Sequence, residues 1–171
     1  MPWLFDTKES KERRGEKEDR ERKREEATRQ MADLFMRHNS MTPAQIIGEL
    51  EKMHEFYAVA SWAPSEERGG YFYQIATDLT HAALTPAETS RLVAMLLWPE
   101  LRAYKDRGAP ELFVLAAMQH PSEAYVPILA EHFAWLENEI KTLRSTQYRA
   151  DVASEMRLTK GAIQACRATM G

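Results

Sequence analysis

A single cysteine, Cys166, stands in a chain of 171 residues, so no disulfide can close within the chain and no cysteine-based zinc site can form. A reducing compartment, the cytoplasm, is the expected setting. No apolar run approaches the roughly 20 residues of a membrane span. The opening Met1-Pro2-Trp3-Leu4-Phe5 meets charge at Asp6, too soon for the apolar centre of a signal peptide. Also missing are a glycine-rich phosphate loop, a Gly-x-Ser-x-Gly elbow and a His-Glu-x-x-His helix. With Ser, His and Asp scattered and no nucleophile signal, the expectation is a protein that is not an enzyme and needs no cofactor or metal. Period-two alternation of any length is absent too, which predicts an all-α fold.

What the chain does have is charge, unevenly spread. Residues 6–29 hold 9 acidic and 10 basic side chains. Residues 30–140 hold 15 acidic against 7 basic, and residues 141–171 hold 2 acidic against 6 basic. The formal net charge of -3 thus hides a strongly acidic middle and a basic end. In the first block, Glu9/Arg13, Glu16/Arg20, Glu18/Arg22, Asp19/Lys23 and Glu25/Arg29 are acid-before-base pairs four residues apart. Each adds about 0.2–0.5 kcal/mol to an exposed helix. The spacing predicts a long solvated helix over 6–38, weakest at Gly15, whose last turns dock through Ala27, Met31, Leu34 and Phe35. Such a composition is also compatible with a disordered segment, because it cannot build a core.

Proline punctuates the rest. Thr42-Pro43 and Thr85-Pro86 each pair a capping hydroxyl with a proline suited to the first helical position. Between them, Gly69-Gly70 precedes a helix over 71–84. Pro99 predicts a break, Pro110 opens a short apolar helix, and Pro121 opens a longer one to Leu143. About seven or eight helices follow, in an orthogonal or repeat-like bundle. Thr-Pro-Ala recurs at 42 and 85, and Trp62, Trp98 and Trp135 recur at similar intervals, a hint of helix-pair repeats with the three indoles buried. Met31, Met36, Met41, Met53, Met95 and Met118 fall mostly at helical spacing with apolar neighbours and read as core. Trp3, Leu4 and Phe5 precede a helix with no apolar face to receive them, so they form a candidate hook for a protein partner.

The stretch Arg149 to Ala168 carries the most specific pattern. Val152, Met156, Leu158, Ile163 and Cys166 are apolar, and Ala153 is small, where two short helices would face each other. In these positions the segment resembles the helix-turn-helix of bacterial, phage and plasmid repressors. Leu158-Thr-Lys-Gly-Ala-Ile-Gln-Ala165 is similar to the start of the recognition helix in Cro-type and KorA-type members. The turn position holds Arg157, where the motif prefers glycine. The resemblance implies that Thr159 caps a second helix, that Lys160 and Gln164 face base edges, and that Arg157 and Arg167 hold phosphates of duplex DNA. The bland alternative is a pair of short amphipathic helices closing the domain, with Cys166 as a buried hydrophobe.

A weaker constellation is Glu51-x-x-His54 with Asp78-x-x-His81, similar to part of the ligand set of ferritin-like di-metal proteins. The other carboxylates of that set cannot be identified, so the pairs read as surface or core polar groups. The chain therefore divides into a hook and charged helix (1–30), an α-helical body (31–145) and a helix-turn-helix-like segment (146–171). Two functions follow: a non-catalytic DNA-binding regulator, or a helical adaptor that docks a protein partner or a second copy through its N-terminus.

Overall fold

The computed structural model describes residues 7–58, 66–99 and 108–170. They form seven α-helices, and no strand occurs among them. The helices are α1 (Lys8–Arg37), α2 (Pro43–Ala58), α3 (Glu66–His81), α4 (Pro86–Ala94), α5 (Gly108–Gln119), α6 (Val126–Thr142) and α7 (Thr146–Arg167). No described helix is long and apolar enough to cross a membrane. The expected hook Trp3, Leu4 and Phe5, and Trp62, lie outside the described residues.

The caps form as the sequence requires. Thr7 Oγ1 accepts from Ser10 N to start α1, and α1 then runs 30 residues through Gly15 without a break, about 45 Å at 1.5 Å per residue. Thr42 Oγ1 accepts from Gln45 N while Gln45 Oε1 accepts from Thr42 N, closing a capping box at α2. Thr85 and Glu88 make the same reciprocal pair at α4. Trp98 turns extended before Pro99, as the ring of a following proline demands. Pro121 does not open α6: a 3-10 turn over Glu123–Tyr125 intervenes, and Pro127 takes the early helical position instead. That site loses nothing by lacking an N–H.

The core draws on every helix. Leu34, Ile47, Leu50, Ile75, Leu79, Leu92, Met95, Phe113 and Leu129 are buried in one cluster, with Phe72 edge-on to Phe113. Charged α1 docks earlier than its apolar residues alone imply. Residues 8–18 are exposed all round, but Asp19, Lys23 and Arg24 are already half-buried, ahead of buried Ala27, Met31 and Leu34. Lysine and arginine stems cover apolar surface while their heads stay wet. Asp19 pairs with both Arg22 and Lys23, and Arg29 with Glu26. Met31, Met53 and Met95 are core, whereas Met36 at 80% and Met118 at 37% are exposed. Trp98 and Trp135 are half-buried rather than enclosed, each ring lying against a histidine, His54 and His132 respectively.

Candidate functional site

The basic end of the chain folds as one helix, not two. Ser145 Oγ accepts from Tyr148 N, and from Thr146 to Arg167 the 22 residues of α7 are uninterrupted. The expected turn at Arg157 is absent, and with it the crossing of two short helices. The reason lies in the burial pattern. Val152, Glu155, Thr159, Ala162 and Cys166 are all buried, an unbroken alternation of three and four residues that a single helix can bury on one side. A turn at 157 would throw the second half of that stripe out of phase. Thr159 is accordingly interior: its hydroxyl donates to Glu155 O at 2.8 Å, one turn back, so it caps nothing and faces no groove.

Around the same helix, Arg149, Arg157, Lys160, Gln164 and Arg167 are all exposed. At 3.6 residues per turn they fall within an arc of about 80°, roughly 140° from the centre of the buried stripe. From Arg149 to Arg167 the arc runs about 27 Å along the axis. No carboxylate lies in it, since Asp151 sits toward the other flank and Glu155 is inside. No ion pair among the described residues engages any of the four cations. Arg157, Lys160, Gln164 and Arg167 were legible as surface groups of this segment. Arg149 was not, because a motif read as two helices places it outside the second one.

Beneath the basic arc lies a buried polar pair. His132 of α6 donates from Nε2 to Glu155 Oε1 over 2.9 Å, and each side chain is 1% exposed. The other atoms of the pair, His132 Nδ1 and Glu155 Oε2, are buried and have no hydrogen-bond partner among the described residues. Glu111 of α5 stands close enough to feel this charge. Burial, then repulsion by Glu155 and Asp151, holds its carboxyl above the ordinary range. Folding therefore favours its protonated form. The contribution is fully present below the ordinary glutamate value and is lost as pH rises through the raised one. Thermal denaturation should show that component of the pH slope in the native chain and its loss in Glu111→Gln. Screening at this partly exposed group keeps it below about 1 kcal/mol.

The weaker constellation disperses. Glu51 accepts from Arg91 Nε at 2.9 Å and pairs with its Nη2. His54 stacks on Trp98 at 4.1 Å. Asp78 lies 2.6 Å from His38 Nε2 and also accepts from Gln74, while His81 Nδ1 meets Thr77 O. Each of the four groups serves a different contact, and no set of three or more ligands that could hold a metal occurs among the described residues. A cleft of about 320 Å³ between α1 and α2 is lined by Asp33, Arg37, Glu49 and Lys52. Its charges pair within their own helices, Arg37 with Asp33 and Lys52 with Glu49.

No protein-family model, no curated protein and no solved structure matches this chain.

Proposed function

We propose that this chain is a non-catalytic regulator of bacterial, phage or plasmid type that acts in the cytoplasm by binding duplex DNA through the outer face of α7. The observation that carries the reading is the arc itself: four unpaired cations and one amide on one exposed helical face, without a carboxylate, in a chain whose formal charge is -3. A major groove about 12 Å wide admits an α-helix. Arg149, Arg157 and Arg167 reach phosphates on its rims, while Lys160 and Gln164 are suited to guanine and adenine edges. The whole continuous helix, not the tip of a second short one, is the element that docks.

Fluorescence anisotropy of the full chain on a labelled duplex tests this. Three phosphate contacts release counterions, so log K should fall with log salt at a slope of about -2.7. A flat salt response, or no binding at low salt, contradicts the reading.

The adaptor reading is favoured by one feature, the residues 8–18 of α1 that are exposed on every face. Truncation of residues 1–18 separates the two readings. It leaves DNA binding intact under the first and removes the partner's contact surface under the second.

A further inference from the structure

We infer that the His132–Glu155 hydrogen bond is a register pin, a positioning pair that selects which face of α7 is buried and so keeps the basic arc turned outward. The buried stripe of α7 is poor in bulk: Val152, Thr159, Ala162 and Cys166 are small, and Glu155 is its only long side chain. The same helix carries a second stripe, Val152, Met156, Thr159 and Ile163, with the same helical spacing and larger apolar groups. The two stripes share Val152 and Thr159, and their centres differ by about 50° around the axis. A turn toward the second stripe gains burial for Met156 and Ile163 but withdraws Leu158, which packs on the core, along with Ala162 and Cys166, so apolar burial alone does little to separate the two settings. Yet Met156 and Ile163 remain half-buried while Ala162 and Cys166 are at 0% exposure.

The group that distinguishes the two settings is Glu155. In the observed setting it meets His132 inside the α6–α7 interface at 2.9 Å. A turn of about 50° toward Met156 and Ile163 pulls its carboxylate away and strands the imidazole. Leaving either polar group buried without its partner is costly, so the bond decides between the two settings. Buried polar pairs can fix register in this way even where they add little to stability. The same turn takes Arg149 and Arg167 off the outer face to about 50° from the interface centre, at its rim. That consequence for DNA rests on the function proposed above, whereas the pin itself does not.

The test uses the full chain and its single thiol. Cys166 is fully buried at the centre of the observed stripe, and the alternative setting carries it about 50° off centre, to the rim of the interface. Its reaction with Ellman's reagent is followed in the native chain, in His132→Leu/Glu155→Leu, in Glu155→Gln and in Glu155→Met. The double leucine variant should keep its helical circular dichroism and its urea midpoint, yet label Cys166 roughly tenfold faster, as a setting once rare becomes populated. It should also bind duplex DNA more weakly. Glu155→Gln keeps an oxygen that accepts from His132 and should label at the native rate. Glu155→Met, of similar length without that acceptor, should label fast. Native labelling in the folded double variant overturns the pin. Where that variant fails to fold, equal rates in the Gln and Met variants below their midpoints overturn it instead. Faster labelling with unchanged DNA affinity supports the pin and counts against the DNA reading alone.

Discussion

Replacing His132 with alanine is expected to cost about 1–3 kcal/mol of folding stability, because it leaves the buried Glu155 acceptor without its donor, a loss that a turn of α7 can only partly relieve. Glu155 is 1% exposed, and its second oxygen already lacks a partner among the described residues. The loss of the imidazole takes away its one side-chain hydrogen bond and opens a void between α6 and α7. For a chain of this size each kcal/mol moves the melting midpoint by about 2–4 °C, so the midpoint should fall by roughly 2–12 °C. Equilibrium urea unfolding reads the free energy directly, and a loss below about 1 kcal/mol, the scale of an exposed pair, is the result that contradicts it. The contrast with the double leucine variant is the informative part. Removing both partners leaves no stranded charge, so stability is kept there while register is lost.

The second large effect concerns the outer face. Converting Arg149, Arg157, Lys160 and Arg167 to glutamine together should leave the fold unchanged, since all four are exposed and none is ion-paired to a described residue. Duplex binding should fall by about three orders of magnitude or more at 0.1 M salt, from the loss of three released counterions and of the Lys160 base contact. The residual binding should lose its salt dependence. Gln164→Ala, by contrast, should alter sequence preference by about 1–3 kcal/mol at one base pair and leave the salt slope alone. A quadruple variant that binds as the native chain does would move the interface elsewhere.

These two effects come from opposite faces of one helix, and they were unequally legible in the sequence. The all-α class followed from proline punctuation and apolar spacing, and the hydroxyl-proline starts at Thr42 and Thr85 open α2 and α4 where local chemistry demands. Local rules failed where a distant partner decides. The helix-turn-helix resemblance makes Val152, Met156, Leu158, Ile163 and Cys166 the inward residues of two short helices with a turn at Arg157. The observed stripe instead runs through Glu155 and Thr159, polar residues that read as surface until their partners are known. The deciding partner, His132, lies 23 residues away on another helix, and nothing in the local pattern marks it. Thr159 hides its hydroxyl in its own backbone, a bond open to any helical threonine.

The exposed positions fared better because exposure asks less of the rest of the chain. Lys160, Gln164 and Arg167 lie on one face whether the segment is one helix or two, and the continuous helix brings Arg157 onto it. Only the continuous helix adds Arg149 to them. Early burial of α1 at Arg24, whose Nε is covered, escaped the sequence for a related reason: the covered side chain has a charged head, which carries no apolar signal.

An NMR titration of the full chain with a short DNA duplex tests the central claim most directly, since it locates the contact rather than merely detecting it. The account predicts helical secondary shifts without interruption through Arg157, and amide and side-chain perturbations that follow Arg149, Arg157, Lys160, Gln164 and Arg167 along one face of α7 while Cys166 and Ala162 stay still. A break in helical shifts at Arg157, or perturbations that gather on α1 and leave α7 untouched, would contradict it.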